Sequence, residues 1–112
     1  MSVFSDYEQD VVERLLEAHL SQAEIAAVVA DCEFVSLEHT GVGYFLTVSH
    51  AAIPKSRVVC HEPLLVGTAD GFDCGFVIFL ERGELTLECH SWGDGSIPAD
   101  VRDRRLVVGP AA

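Results

Sequence analysis

The N-terminal part of the chain carries its hydrophobic side chains at helical spacing. Ser5 is followed three residues later by Glu8, which is the capping-box pattern of a helix N-terminus. The residues that then share one helical face, at i, i+3, i+4, i+7 and i+8, are Val12, Leu15, Leu16, His19 and Leu20. This pattern predicts a first helix over residues 6–19.

A second capping box, formed by Ser21 and Glu24, follows at once. Ile25, Val28 and Val29 repeat the helical spacing, so a second helix is predicted to extend to about residue 30. Neither Gly nor Pro separates the two patterns, and the second helix is therefore either independent or a kinked continuation of the first. Residues 1–31 are expected to form a helical segment.

From residue 32 onward the hydrophobic period changes from helical to alternating. In the first such stretch Val35, Leu37 and His39 face one way, opposite to Phe34, Ser36 and Glu38. Further strands are predicted over residues 44–49, 57–60, 64–68, 75–81 and 84–92, and residues 106–108 could add a last one. The stretch 75–81 is apolar on both alternations, so we expect it to be central in the sheet and covered on both faces.

These elements predict a single α+β domain over residues 1–112, in which 1–31 are helical and 32–112 form the sheet. Two N-terminal helices should pack on one face of a mainly antiparallel sheet of five or six strands. The chain has 112 residues, of which 49% are hydrophobic, so one core is expected to form without a metal or a disulfide. The helices leave the second face of the sheet uncovered. Because that face is apolar, it favours a homodimer.

Charge narrows the classes of partner. The chain has 18 acidic and 7 basic residues, a net charge of −11, which repels nucleic acids and anionic membranes. Within residues 1–38 the only base is Arg14, and the nine acids are Asp6, Glu8, Asp10, Glu13, Glu17, Glu24, Asp31, Glu33 and Glu38. A partner attracted by this segment would be basic; the alternative is that acidic helix faces serve solubility alone.

The sequence also predicts a compartment. The first ten residues lack the basic and apolar regions of a secretory signal, and no apolar run reaches the roughly 20 residues of a membrane helix. We therefore expect a cytoplasmic protein, whose four cysteines, Cys32, Cys60, Cys74 and Cys89, are free thiols that pack as small hydrophobic side chains.

Three stretches form a pattern together: EHTGVGYFLTV at 38–48, GFVIFLERGELTLE at 75–88 and CHSWGDGSIP at 89–98. They resemble a set of small bacterial proteins of unassigned function, in which a TGVGFF-like strand precedes a GFLLFIEDG and LEGYTYGDEWP-like hairpin. The resemblance implies an α+β domain with N-terminal helices, and some similar small acidic proteins are immunity factors beside toxin genes. This chain departs from the pattern with Cys89 and His90 in place of Gly and Tyr, and with Trp92 in place of Tyr.

Two Cys-His dipeptides, Cys60-His61 and Cys89-His90, carry the ligand types that zinc prefers. Adjacent strand residues point to opposite faces, so neither dipeptide can present both groups to one ion. All four cysteines lie in or beside apolar strand-like segments, where buried thiols are inert. We therefore expect no metal site, no cofactor and no cysteine nucleophile.

The last hairpin strand offers the best candidate surface. Glu88, His90 and Trp92 share its outer row, Asp94 begins the following turn, and Tyr44 is a further polar contributor. The set could anchor a protein partner, or act as an acid–base pair beside a stacking wall; alternatively, Trp92 only packs over the sheet end.

No reaction can be named from these residues. The leading interpretation is a non-enzymatic protein-binding module, of immunity or regulatory type, that engages a basic partner. The alternative is a small enzyme or ligand-binding protein with a pocket near Glu88, His90 and Trp92 or at a dimer interface.

Overall fold

The computed structural model describes residues 3–93 and 95–111. These residues form two helices, α1 (Asp6–Leu16) and α2 (Gln22–Asp31), and a short 3-10 helix at Val101–Asp103. The strands are β1 (Glu33–His39), β2 (Gly43–Ser49), β3 (Val58–Cys60), β4 (Leu65–Ala69), β5 (Phe72–Glu81), β6 (Glu84–Ser91) and β7 (Val107–Pro110). The α+β class with an antiparallel sheet is thus confirmed.

Helix α1 begins where the capping box predicts, with the Glu8 carboxylate accepting a hydrogen bond from the Ser5 backbone N–H at 2.8 Å. It ends at Leu16, earlier than expected, and His19 is exposed beyond it. Helix α1 contacts β5 and β7 of the sheet, whereas α2 contacts mainly α1. No helix among the described residues is long and apolar enough to cross a membrane.

The strands form one sheet in the order β1-β2-β6-β5-β4-β7, and β3 also pairs with β5. Every pair is antiparallel. The sheet has seven strands within the described residues, so the expected five or six was too few. The count rises because the C-terminal strand Val107–Pro110 pairs with β4, and because the long β5 has room for both β3 and β4 along one edge.

The two faces of the sheet differ in burial. The face toward α1, here called the helix-side face, carries the core residues Tyr44, Leu46, Val48, Cys74, Phe76, Ile78, Leu80, Leu85, Leu87 and Cys89. The opposite face, here called the open face, carries half-buried residues, among them Phe45, Val77, Phe79, Glu88 and His90. Strand β5 is central, as expected, but its second face is covered only in part.

Strand β1 differs from its predicted pattern. Phe34 pairs with Val48 and Ser36 with Thr47, so Val35 lies in a β-bulge. The bulge reverses the alternation, and Phe34 shares the helix-side face with Leu37 instead of opposing it. The sequence alternation was therefore wrong for Phe34, because a one-residue bulge leaves no mark in the period.

Candidate functional site

Glu88 and His90 both lie on the open face of β6. Glu88 lies between Phe45 of β2 and Val77 of β5, and His90 lies between two glycines on the same two strands. Both side chains are half-buried. The structure therefore brings these two predicted residues onto one surface of the central sheet.

Trp92 joins this surface just beyond the end of β6. Its ring stacks on His90 with centroids 6.2 Å apart and planes inclined by 23°. Both rings lie over Gly75, where an added Cβ would stand 2.7 Å from a carbon of each ring. The absence of a side chain at Gly75 therefore makes room for the pair, and the Trp92 backbone N–H is fixed by the Asp73 carbonyl at 3.0 Å.

A shallow hollow of about 360 Å³ adjoins Trp92 at the β4–β7 edge of the sheet. Its lining is Val66, Thr68, Trp92, Val107, Gly109, Pro110 and Ala111, which includes no charged side chain. Trp92 is 44% exposed, so part of its indole ring is accessible to solvent beside this hollow. Asp94, predicted to belong to this set, lies outside the described residues.

Tyr44 is not part of this surface, because its side chain lies on the helix-side face and is 1% exposed. Its hydroxyl donates to Glu8 Oε2 at 2.5 Å, and the Tyr7 hydroxyl, 2.5 Å away, must then donate to the Tyr44 oxygen. Arg102 completes the cluster with Nε 2.8 Å from Glu8 Oε2 and Nη2 2.9 Å from Oε1. We call Tyr7, Glu8, Tyr44 and Arg102 the buried polar network.

Both carboxylate oxygens of Glu8 are satisfied. Glu8 is fully buried, and its two oxygens accept from Ser5 N–H, from the Tyr44 hydroxyl and from two guanidinium nitrogens of Arg102. Arg102 Nη2 also donates to the Val3 carbonyl at 2.8 Å. Burial raises the pKa of both tyrosine hydroxyls above their ordinary value, and the Glu8 charge raises them further. The network therefore holds its protons and stabilises the fold.

Three of the four cysteine thiols, those of Cys32, Cys60 and Cys89, have a raised pKa. Cys74 and Cys89 face the core on neighbouring strands and share a hydrogen bond. This bond, together with burial, raises the pKa of Cys89, whereas the same bond lowers the pKa of Cys74. Burial raises the pKa of Cys60 to about 11. At neutral pH Cys60 and Cys89 are therefore poor nucleophiles, because the reactive form is the thiolate. Cys74 is fully buried in the core. His61 and His90 point away from their buried cysteine neighbours, as adjacent strand positions require.

Metal ligands do not converge. Among residues 3–93 and 95–111 there is no group of three or more His, Cys, Asp or Glu side chains that could hold an ion. A hollow of about 540 Å³ lies against the N-terminus of α1 and mixes both charges, with Asp6, Asp10 and Asp103 beside Arg102, Arg104 and Arg105. Of these bases, Arg102 pairs with Glu8 and Arg104 with Asp100.

Strand β1 is the other surface that stands out. All seven of its residues are exposed, including Phe34 at 55%, Val35 at 44% and Leu37 at 44%. Two of its remaining side chains are the carboxylates of Glu33 and Glu38. No strand among the described residues pairs with its outer edge. Apolar side chains, negative charge and free backbone groups therefore lie together at this edge.

The fold and these surfaces define an α+β protein with one buried polar network in its core. Among the described residues it also has an unpaired acidic sheet edge. Comparisons with protein-family models, with curated proteins and with solved structures found no match.

The sequence does predict that the basic cluster Arg102, Arg104 and Arg105 pairs internally or with the acidic helices, and the Arg102–Glu8 and Arg104–Asp100 pairs confirm this. Sequence reasoning missed the tyrosines of the buried polar network and the unpaired edge. Glu8 was recognised only as a capping residue, although a glutamate on the apolar side of a helix was a usable signal for a buried partner. The partner itself lies at position 102, which the helical pattern cannot reveal.

Proposed function

We propose that this chain is a non-enzymatic protein-binding module, of bacterial immunity or regulatory type, that engages a basic partner. The observation that carries the proposal is β1, where exposed apolar side chains lie beside unpaired carboxylates. Apolar contact area gives affinity, while negative charge accelerates the encounter with a positive surface and selects against acidic proteins.

The location of the negative charge supports the proposal. Of the nine acids in residues 1–38, Glu8 is buried and bound to Arg102, and Asp10 forms a surface pair with Arg14 at 2.9 Å. Asp31, Glu33 and Glu38 are exposed on β1 or directly before it. They leave a negative field at the same edge as the apolar side chains.

The chemistry of the interior supports a protein without catalysis. A general acid or base must reach a substrate with a free proton or lone pair. In the buried polar network the oxygens of Glu8 already accept four hydrogen bonds, and the pKa values of the Cys60 and Cys89 thiols are raised. The functional chemistry is therefore assigned to surface contacts.

A second candidate function is ligand or partner binding at the Glu88, His90 and Trp92 surface. The stacked His90–Trp92 pair beside the uncharged hollow favours it. Trp92 is the only tryptophan in the chain, so its fluorescence reports on this surface alone. A partner that binds at β1 should leave the emission of Trp92 unchanged, and one that binds at the aromatic pair should shift it.

As a third candidate interaction, we propose that two copies of the chain form a homodimer through the open face. Phe45, Val77 and Phe79 supply half-buried apolar area there, although Thr47 and Thr86 form a polar pair at 2.9 Å between them. Sedimentation at micromolar protein concentration tests this homodimer, and a single monomeric species would rule it out.

The main proposal is tested by affinity capture from a lysate of the native organism at about 50 mM and about 300 mM salt, a range over which screening of exposed charges increases strongly. We expect one stoichiometric partner with a basic binding surface, retained less at the higher salt. Recovery of no stoichiometric partner at either salt, or of an acidic one, would overturn the proposal. The double variant Asp70→Lys/Asp73→Lys is the control for the overall charge of the chain, because it adds positive charge away from β1.

A further inference from the structure

The outer edge of β1 has free backbone groups at defined positions. Thr40 N–H donates to the Gly43 carbonyl at 2.9 Å, so this pair closes the β1–β2 ladder at its turn end. Hydrogen-bonded and non-hydrogen-bonded pairs alternate in an antiparallel ladder. Ser36 and Glu38 therefore bond to β2, while Leu37 and His39 direct their N–H and C=O groups to the free side.

This edge is longer than the other ends of the sheet. β3 has three residues, and β7 has four and ends in Pro110. β1 has seven residues and no proline. Short strands and prolines are common ways of blocking strand addition at an edge. On β1, only the bulge at Val35 and the charges of Glu33 and Glu38 limit strand addition.

The two faces of β1 specify what an added strand must carry. Phe34 and Leu37 lie on the helix-side face, and Glu33, Ser36 and Glu38 lie on the open face. Side chains directly opposite each other on paired strands lie on the same face and interact. An added segment therefore needs apolar residues beside Phe34 and Leu37, and basic residues beside the glutamates.

A second copy of the chain fits this edge poorly. Antiparallel pairing of two β1 strands that sets Phe34 of one copy against Leu37 of the other also sets Glu33 against Glu38, and it does so twice. Like charges directly opposite each other are destabilising, and each copy carries a net charge of −11.

We propose that the edge of β1 is a strand-addition site that takes an extended basic segment of a partner protein, with Lys or Arg alternating with apolar residues. The backbone groups of Leu37 and His39 supply the ladder, and Glu33 and Glu38 select the basic side chains. This inference rests on the proposed function, because it names the surface and the segment by which a basic partner is held.

The probe is the peptide acetyl-KVKVKVK-amide, labelled for fluorescence anisotropy, with acetyl-EVEVEVE-amide as its charge-reversed control. We expect the lysine peptide to bind the full chain and the glutamate peptide not to bind. In amide-resolved NMR, the Leu37 and His39 amides should become protected from exchange when the lysine peptide is added. Failure of the lysine peptide to bind overturns the strand-addition site, whereas the capture experiment decides the proposed function separately.

Two variants with matched controls locate the site. Leu37→Pro removes an outward N–H that β2 does not use and should weaken binding about tenfold, since an unpaired carbonyl is left on the peptide. Leu37→Thr keeps that N–H and should weaken binding about threefold or less, through lost apolar contact alone. Glu38→Lys should weaken binding more than Asp70→Lys, which lies in the β4–β5 turn.

Equal binding by Leu37→Pro and wild type overturns strand addition even where the lysine peptide binds. If Asp70→Lys weakens binding as much as Glu38→Lys does, the attraction is the general charge of the chain and not this edge. If Leu37→Pro does not fold, as judged by its amide spectrum, the Glu38→Lys comparison and the exchange protection at Leu37 and His39 still decide the question.

Discussion

The buried polar network and the β1 edge are opposite uses of polar groups in one small protein. In the network, Glu8 is fully buried and every hydrogen-bonding group of its carboxylate is matched. At β1, the backbone groups of Leu37 and His39 face solvent, and Phe34, Val35 and Leu37 remain exposed.

This difference separates stability from recognition. A buried charge that is fully paired costs much when one partner is lost, because the remaining charge cannot be solvated. An exposed strand edge costs little to leave unpaired, because water satisfies it, but it offers a partner hydrogen bonds and apolar area. Changes in the network should therefore act on the free energy of unfolding, and changes at β1 should act on binding.

The largest expected effect follows from removing Arg102. Arg102→Ala leaves the Glu8 carboxylate buried without its cation, and we expect the free energy of unfolding to fall by about 3 kcal/mol. Urea denaturation at pH 7 measures the loss. The control is Arg104→Ala, which breaks the exposed pair with Asp100 and should cost about 0.5 kcal/mol or less. Similar losses in the two variants would show that the network does not hold the fold.

High pH should act on the same network through its tyrosines. The pKa of each hydroxyl is raised in the folded state, so ionisation occurs first in the unfolded state as pH rises above about 10, the ordinary tyrosine value. The stabilisation is complete below that pH and is lost progressively above it. By linkage, the two phenols together should lower the free energy of unfolding at pH 11 by on the order of 2 kcal/mol.

This pH dependence has a direct optical test, because Tyr7 and Tyr44 are the only tyrosines of the chain. The absorbance of phenolate should appear together with unfolding and not before it. The double variant Tyr7→Phe/Tyr44→Phe should lose the tyrosine contribution to the decline above pH 10. Titration of either hydroxyl near pH 10 in the folded protein would contradict a closed network.

The sequence predicted the elements better than it predicted what surrounds them. The capping boxes at Ser5 and Ser21 placed both helix starts correctly, since they depend on contacts within one turn. The predicted strands over 75–81 and 84–92 also left Arg82 and Gly83 for the turn between them, and both residues have positive φ. Short-range chemistry of this kind is visible in a single sequence.

Contacts between distant residues were not visible in the same way. The pairing of Glu8 with Arg102 joins α1 to the turn before β7, and no local period records it. The bulge at Val35 shifts one residue without changing the composition of β1. The exposure of β1 depends on where the helices pack, which alternation within the strand cannot determine.

A smaller effect is expected on the open face at Gly75. Gly75→Ala would place a methyl group 2.7 Å from atoms of His90 and Trp92, and the two rings can move because they are the far ends of side chains. We expect a loss of about 1 kcal/mol, with a clear change in the emission of Trp92. Gly43→Ala is the severe counterpart, because its Cβ would meet the Cys89 carbonyl oxygen at 1.9 Å. Unchanged emission in Gly75→Ala would show that the aromatic pair is not packed on this glycine.

The smallest expected effect separates the two regions most directly, because Leu37 and Leu46 lie opposite each other on β1 and β2. Leu46 is fully buried and Leu37 is 44% exposed. Leu46→Ala should lower the free energy of unfolding by about 3 kcal/mol, since it leaves a cavity in the core. Leu37→Ala should lower it by about 1 kcal/mol or less, since only part of its apolar area is removed from water. A loss at Leu37 close to that at Leu46 would mean that β1 serves the stability of the fold. Fold stability alone would then explain the exposed apolar side chains of β1, without a partner.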